Sequence, residues 1–152
     1  NQLILQIAGL IKDETNLVGI LANVSAALHD TFPERFFWVG FYLQVHGNML
    51  RLGPFQGSVA CYTIPFGKGV CGKAWEEGRT LIVPDVEKFP GHIACSSLSR
   101  SEIVVPMYDD SHTFRGVLDI DSTRLNDFNE DDKEGLERII ELLMEETQDL
   151  FQ

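Results

Sequence analysis

The residue best suited to chemistry in this sequence is a cysteine in the middle of a predicted loop. Residues 84–99 contain two prolines, a glycine and three serines, a composition that disfavours regular structure. Cys95 lies in this loop, three residues after His92 and seven before Glu102. Thiolates are nucleophiles, and loops held by a rigid scaffold often carry reactive groups. Two interpretations remain open here, a reactive thiol with an acid nearby or a surface loop with an incidental cysteine.

Two further cysteines, Cys61 and Cys71, leave the type of thiol chemistry open. An odd number of cysteines argues against a framework of structural disulfides, so the thiols are either buried and inert or redox-active. Cys71 begins a predicted short helix over residues 70–77, where the helix dipole favours a thiolate, and it therefore competes with Cys95 as the reactive thiol. A zinc site is disfavoured because the sequence lacks CxxC and HxxxH pairs, and we expect no metal ion.

Two carboxylates project from the last predicted strand. Residues 114–121 alternate in a way that puts Asp119 and Asp121 on the same face. Acids on an otherwise apolar strand are unusual for a solvated surface, and they predict a polar pocket for a cation or an amino group. The alternative for Asp121 is a cap on the turn at Ser122.

An aromatic segment over residues 36–45 predicts a central strand. Trp38, Gly40 and Tyr42 would share one face of it. The glycine predicts either a bulge or a close approach of the backbone. The two aromatic side chains form either part of the core or the wall of a small pocket.

The remaining patterns predict an α+β fold. Apolar periodicity predicts helices over residues 3–10 and 17–29, the second capped by Asn16 or Thr15, and another that follows Asn129. We expect a central six-stranded antiparallel sheet with the N- and C-terminal helices packed on it. The predicted strands, of which the third carries Cys61, are 36–45, 49–53, 59–64, 80–83, 103–108 and 114–121.

Charge and composition exclude several classes of partner. The 152 residues carry a net charge of −11, which disfavours binding to nucleic acid or to an anionic membrane. No apolar run approaches the roughly 18 residues that a membrane helix needs. The sequence shows no secretory signal and an odd cysteine count, so we expect a cytoplasmic protein.

Seven short motifs carry a resemblance to a known family. They are WVGFYL (38–43), LGPFQG (52–57), IPFGKGVCG (64–72), VPDV (83–86), FPGHIACSS (89–97), SEIVVP (101–106) and GVLDIDS (116–122). With three cysteines at these offsets, the chain resembles the GAF-domain free methionine-(R)-sulfoxide reductases, whereas a generic signalling GAF domain would match only the pattern of strands. The resemblance covers nearly the whole chain and implies a single GAF domain over residues 1–152.

The resemblance implies a reaction. The substrate would be free methionine-(R)-sulfoxide, and the catalytic thiol would be Cys95 rather than Cys71. Attack by the Cys95 thiolate on the sulfoxide sulfur would release methionine and leave a sulfenic acid. Cys61 would then condense with that acid to form a disulfide, with Cys71 as a secondary partner. A thioredoxin-type reductant would restore the thiols, without any cofactor.

The resemblance also implies roles for the acids and the aromatic residues. Glu102 would protonate the sulfoxide oxygen with assistance from Asp121, and one acid of the cluster should have a raised pKa. Trp38 and Tyr42 would form an apolar wall for the substrate thioether. The residues expected to bind substrate are Trp38, Tyr42, Glu102, Asp119 and Asp121, with Asp85 at the pocket rim.

Two further hypotheses accompany the enzyme. One is a GAF sensor that binds a small ligand without turnover and whose thiols only respond to oxidation. The other, compatible with either activity, is a homodimer formed through the amphipathic terminal helices.

Overall fold

The computed structural model describes residues 2–151. Within this range the chain forms four α-helices, six β-strands and two short 3-10 helices. The α-helices are α1 (Gln2–Ile11), α2 (Leu17–Thr31), α3 (Gly69–Glu77) and α4 (Glu130–Thr147). The strands are β1 (Trp38–Gln44), β2 (Met49–Gln56), β3 (Thr63–Pro65), β4 (Leu81–Val83), β5 (Ser101–Tyr108) and β6 (Phe114–Ser122). The 3-10 helices span Val86–Lys88 and Gln148–Leu150.

The strands form one sheet in the order β3-β2-β1-β6-β5-β4, and every neighbouring pair is antiparallel. This arrangement confirms the predicted α+β fold. The two longest runs of pairing place β6 between β1 and β5 at the centre of the sheet. The side chains of β1, β6 and β5 therefore form the central part of both faces of the sheet.

One face of the sheet is entirely apolar at its centre. Val39 and Phe41 of β1 alternate with the residues of the other face, and Leu118 and Ile120 of β6 lie on the same side. This face packs against α2 and α4, and α1 packs against those two helices. The predicted apolar stripe of α2 is confirmed, since its residues Ile20, Leu21, Val24 and Leu28 are all buried in this core.

The opposite face is covered by α3 and by the irregular segments near it. Val104 and Val117 form its apolar part together with Trp38, Tyr42 and residues of α3. The buried carboxyl groups of Glu102 and Asp119 lie on this face. The polar side chains that β5 and β6 bury on the face against α2 and α4, Ser101 and Ser122, carry only hydroxyl groups.

Asparagine caps begin two helices, as the sequence predicts. The Asn16 side chain accepts a hydrogen bond from the Gly19 amide at the start of α2. Asn129 and Asp132 form a reciprocal capping box at the start of α4. Within the described range, none of the helices combines the length and the apolar composition that crossing a lipid bilayer requires.

The prediction of a strand over residues 59–64 is wrong, and Cys61 lies in an irregular segment before the three-residue β3. Two side chains of β1 hold the backbone of this segment. The Trp38 indole donates a hydrogen bond to the Ser58 carbonyl oxygen at 2.9 Å, and the Tyr42 hydroxyl donates one to the Cys61 carbonyl oxygen at 3.0 Å. The backbone at Ser58 and Cys61 is therefore held by side chains of β1, and hydrogen bonding to β2 resumes at Tyr62, whose carbonyl oxygen accepts from the Leu52 amide.

The predicted strand over residues 49–53 is too short, because β2 continues to Gln56. Phe55 pairs with Gly40 across the ladder, and its ring stacks on Trp38 with centroids 5.1 Å apart. The register shifts between Gly40 and Tyr42, which confirms the predicted irregularity at the glycine.

Replacing Gly40 tests the close packing at this bulge. A Cβ at position 40 would lie 2.7 Å from the Trp38 ring and would overlap Phe55. We expect Gly40→Ala to lower the free energy of unfolding by about 2 kcal/mol, measured by urea denaturation of the oxidised protein. Gly135→Ala is the matched control, because position 135 is helical with open space around it, and we expect stability to rise by about 0.5–1 kcal/mol. Equal stability of Gly40→Ala and the wild type would contradict the packing argument.

Candidate active site

The site is built on one row of side chains that crosses the three central strands. Trp38 of β1 pairs with Asp121 of β6, and Asp121 in turn pairs with Glu102 of β5. Asp119 lies two residues before Asp121, opposite Gly40. The glycine has no side chain there, and the Trp38 ring and Phe55 occupy the space that a side chain at position 40 would take.

A disulfide joins Cys61 and Cys95 over this face of the sheet, with Cα atoms 5.4 Å apart. The two cysteines are 34 residues apart in sequence, and each lies in a segment without regular structure. The disulfide joins the two thiols that the family resemblance pairs as nucleophile and resolving partner.

A small cavity lies beneath the disulfide. Its free volume is about 40 Å³, which is enough for roughly three water molecules but not for an amino acid of the size of methionine sulfoxide. The side chains predicted for the site line it together: Trp38, Tyr42, Cys71, Cys95, Glu102, Asp119 and Asp121.

Trp38 and Tyr42 do more than form an apolar wall. Their rings stack with centroids 5.9 Å apart, and both side chains are buried. Through the hydrogen bonds to Ser58 and Cys61 described above, they also hold the backbone on which Cys61 sits. The sequence predicts the aromatic wall but gives no sign of this anchoring, because the segment is distant from β1 along the chain.

Cys71 is the third thiol, free and buried at the first turn of α3. Burial raises its pKa well above the ordinary value, and the nearby acids Asp119 and Glu102 raise it further. This contradicts the prediction that the helix dipole favours a thiolate at Cys71. The dipole is worth about 1 kcal/mol, which is less than the cost of placing an anion in a dry site beside other acids.

The three carboxyl groups of the cavity share a low-dielectric site. Burial raises the pKa of Glu102 well above its ordinary value, and repulsion from Asp119 and Asp121 raises it further. Burial and the charge of Asp119 likewise raise the pKa of Asp121. Burial also raises the pKa of Asp119, but donors at Glu102 and Cys71 counter the effect. Glu102 and Asp121 therefore keep their protons to higher pH, and Asp119 ionises before them.

His92 is the nearest basic side chain, and it does not neutralise the acids. Its Nε2 atom lies 3.8 Å from Glu102 Oε1, and its side chain is only 16% exposed. Burial lowers the pKa of His92, which favours the neutral imidazole. Local sequence favours a structural or solvent-facing His92, whereas the structure puts it in the lining of the cavity.

Asp85 is not brought into the cavity. Its side chain accepts a hydrogen bond from the Glu87 amide and caps the 3-10 helix Val86–Lys88. It lies on a separate groove formed by β4 and residues 84–90. Contrary to the prediction, Asp85 therefore does not lie at the rim of this cavity, because its carboxylate accepts a hydrogen bond from the Glu87 amide.

These features define the class of protein. A model of the GAF domain family matches residues 14–144. GAF domain-containing protein A of Dictyostelium discoideum is 58% identical over 91% of this chain and 85% of that protein. Free methionine-R-sulfoxide reductase of Saccharomyces cerevisiae is 44% identical over 93% of this chain and 82% of that protein.

A solved structure gives the same result. The X-ray structure of free methionine-R-sulfoxide reductase from Neisseria meningitidis, in complex with its substrate, superposes with a TM-score of 0.92. The two sequences are 48% identical, and the match covers 96% of this chain and 86% of that chain. The chain belongs to the free methionine-R-sulfoxide reductase family of GAF domains.

The raised pKa values make a prediction about stability. The folded protein holds protons on Glu102 and Asp121 that the unfolded chain has already released, so the free energy of unfolding should fall as pH rises through the raised pKa values. Glu102→Gln removes one of these groups. We expect this variant to lose less stability than the wild type between about pH 5 and pH 9, by on the order of 1 kcal/mol or more, measured by denaturant titration.

The control for this experiment is Glu145→Gln, which removes an exposed acid of α4 and should leave the pH dependence unchanged. Parallel stability curves for Glu102→Gln and the wild type would show that Glu102 titrates as it does in the unfolded chain.

Proposed function

We propose that the protein reduces free methionine-(R)-sulfoxide to methionine through a cycle of Cys95 and Cys61. The observation that carries the proposal is the disulfide that joins these residues at an acid-lined, aromatic-walled cavity. The protein is an oxidoreductase of the family named above, whose yeast and Neisseria members carry that activity in their names.

The reaction begins with the reduced enzyme. The Cys95 thiolate attacks the sulfoxide sulfur and forms a sulfur–sulfur bond, and the sulfoxide oxygen takes up a proton. The oxygen is then transferred from the substrate sulfur to Cys95 Sγ as the sulfur–sulfur bond breaks, so that methionine leaves and Cys95 becomes a sulfenic acid. The Cys61 thiol then attacks this sulfenic sulfur and expels water, which forms the disulfide. Cys71 is a secondary partner at most, since its buried thiol has a raised pKa.

The oxygen that leaves sulfur needs a proton, and the cavity has groups to supply it. Glu102 and Asp121 have raised pKa values, and a protonated carboxyl group near neutrality is a general acid. We assign the acid to Glu102 with assistance from Asp121. Asp119, which ionises first, is the group best suited to bind the substrate ammonium, together with the other two acids.

The apolar part of the substrate has a matching surface. Trp38 and Tyr42 lie beside the acids on the same face of the sheet, and contact between sulfur and an aromatic ring is favourable. Because the cavity under the disulfide is too small for the substrate, substrate can enter only after reduction separates Cys61 from Cys95 and the segment around Cys95 moves.

The reductant must reach the disulfide, and the surface beside it is apolar. Tyr62 follows Cys61 directly and is 76% exposed, and Leu98 lies three residues after Cys95 and is 59% exposed. Val59, two residues before Cys61, is 86% exposed. Exposed apolar groups around a reducible bond favour a protein reductant of the thioredoxin type over a small hydrophilic thiol.

We also propose a homodimer in a reducing compartment, the cytoplasm. The helices α1 and α2 expose Leu5 (72%) and Val18 (68%), which provide an apolar surface for a second copy. The reaction cycle needs a continuous supply of thiol reductant, which the cytoplasm provides. A solution mass equal to a single 17.1 kDa chain, measured by light scattering, would exclude the dimer.

The stereochemistry of turnover and two cysteine variants test the proposed function. Purified protein with thioredoxin and its reductase should form methionine from the free R-sulfoxide and not from the S-sulfoxide. In a single turnover without reductant, reduced Cys95→Ser should form no methionine, because the nucleophile is absent. Reduced Cys61→Ser should form about one equivalent but should recycle poorly, because the sulfenic acid has no partner.

Absence of turnover with both diastereomers would favour the sensor hypothesis, in which the thiols respond to oxidation without catalysis. Equal single-turnover yields from Cys95→Ser and the wild type would move the nucleophile to another residue.

The surface beside the disulfide gives a separate prediction about the reductant. Tyr62→Ser and Leu98→Ser should each raise the KM for thioredoxin about fivefold, which corresponds to about 1 kcal/mol, because each removes apolar contact with the partner. Turnover with dithiothreitol should stay at the wild-type rate. Val45→Ser is the matched control, since Val45 is 49% exposed at the β1–β2 hairpin, at the end of β1 away from Trp38. Unchanged KM values in both variants would place the docking surface elsewhere.

A further inference from the structure

One cluster of side chains in the cavity includes a thiol, that of Cys71, that the proposed reaction does not require. The Sγ atom of Cys71 and one carboxylate oxygen from each of Glu102 and Asp119 lie within 4.8 Å of one another, and all three residues are buried. An ammonium group would need only the oxygens. The cluster adds a soft sulfur atom to two hard oxygen atoms.

A second observation is an oxygen atom without a partner. Asp119 is 6% exposed, and its Oδ1 atom is buried with no hydrogen-bond partner among residues 2–151. A buried acceptor in this state costs free energy that a bound cation would recover. Because Asp119 lines the cavity, the unpaired oxygen marks a position where a ligand would be stabilised.

We propose that Cys71, Glu102 and Asp119 form a binding site for a thiophilic divalent cation such as Zn²⁺ or Cd²⁺. Zinc binds sulfur and oxygen at about 2.0–2.3 Å, so tetrahedral ligand atoms lie roughly 3.3–3.8 Å apart. The ligand atoms lie within 4.8 Å of one another, so they would have to approach by about 1 Å to reach this spacing. His92 Nε2 lies 3.8 Å from Glu102 Oε1 and would have to move towards Cys71 and Asp119 to become the fourth ligand.

The ligand set discriminates among cations. Mg²⁺ and Ca²⁺ take six or more oxygen ligands, and this cluster offers two carboxylates and a thiol. Sulfur and imidazole ligands favour zinc and its heavier relatives. The net charge of −11 attracts every cation towards the protein, so selectivity comes from Cys71 rather than from the overall field.

The oxidised protein is the state that suits such an ion. With Cys61 and Cys95 paired, Cys71 is the free thiol that remains. The free volume of about 40 Å³ admits a bare ion although it excludes an amino acid. On binding, the Cys71 S–H bond breaks, a sulfur–metal bond forms and the proton leaves to the solvent, while no residue or ion changes oxidation state.

The consequence of metal binding rests on the proposed function. A cation held by Glu102 and Asp119 would occupy the groups assigned to the substrate ammonium and to the acid. Zn²⁺ bound to the oxidised enzyme would then inhibit the reductase, because these groups would be occupied when the disulfide is reduced. The binding step itself does not depend on turnover.

The test uses the full oxidised chain and Cd²⁺ as the probe. Titration with CdCl₂ should produce an ultraviolet absorption band from thiolate-to-cadmium charge transfer that saturates at one equivalent. Zn²⁺ should displace Cd²⁺ and remove the band, and Mg²⁺ in excess should not. Absence of a stoichiometric band would overturn the proposal.

Two variants identify the ligands. Cys71→Ser, with folding checked by circular dichroism, should lose the band. Asp119→Asn keeps the thiol and should weaken Cd²⁺ binding about tenfold or more, which corresponds to at least about 1.4 kcal/mol. Glu145→Gln, on the exposed face of α4, is the control and should bind as the wild type does. A band that persists in Cys71→Ser, or an unchanged affinity in Asp119→Asn, would contradict the site.

A separate assay distinguishes this proposal from the proposed function. If the band appears but the protein forms no methionine from either diastereomer, the metal site stands and the reductase assignment fails. If the protein turns over the R-sulfoxide and binds no Cd²⁺, the reductase assignment stands and the metal site fails.

Discussion

The pairing of β6 with both β1 and β5 is the constraint on which the site depends. Because the register aligns Glu102 with Asp121, and places Asp119 opposite Gly40, three carboxyl groups meet on one face of the sheet, and among residues 2–151 none of them forms an ion pair with a lysine or arginine. Loss of solvation and repulsion then raise the pKa values of Glu102 and Asp121 well above their ordinary values. The proposed acid catalysis, the proposed ammonium site and the proposed metal site all follow from this one alignment.

The thiols are held by a different kind of interaction. Cys61 lies outside the sheet, on a segment whose backbone is fixed by hydrogen bonds from Trp38 and Tyr42. Cys95 lies on the longer irregular segment before β5 and has no comparable anchor among the described hydrogen bonds. A fixed thiol and a less constrained one suit a cycle in which the nucleophile moves between substrate and a stationary partner.

The same burial that suits the acids makes Cys71 a poor nucleophile. Its position at the start of α3 would lower its pKa at a solvated surface, but here the cost of desolvation and the neighbouring acids are larger effects. A bound soft cation would stabilise the thiolate form of Cys71, because it supplies positive charge beside a thiol whose charged neighbours are acids. The proposed metal site would thus give the third cysteine a chemical use that does not require it to take part in disulfide exchange.

The fold class was largely predictable because it follows from local patterns. Alternation along β6 gives the shared face of Asp119 and Asp121, and apolar periodicity with the Asn16 and Asn129 caps gives the long helices. The sequence motifs were also enough to indicate the family. The predicted strand around Cys61 and the short β2 were wrong, because side chains of β1 and a bulge opposite Gly40 decide those segments.

Tertiary structure alone decided how the chemical groups meet. By itself, the sequence determined which residue types are present and on which face of each strand they lie. It did not determine the contact between His92 and Glu102, the distance of 5.4 Å between the Cys61 and Cys95 Cα atoms, or the position of Asp85 outside the cavity. These depend on strand register and on contacts between segments tens of residues apart. Burial then sets the pKa values of the groups, and the depth of each group is a property of the folded chain that no local pattern contains.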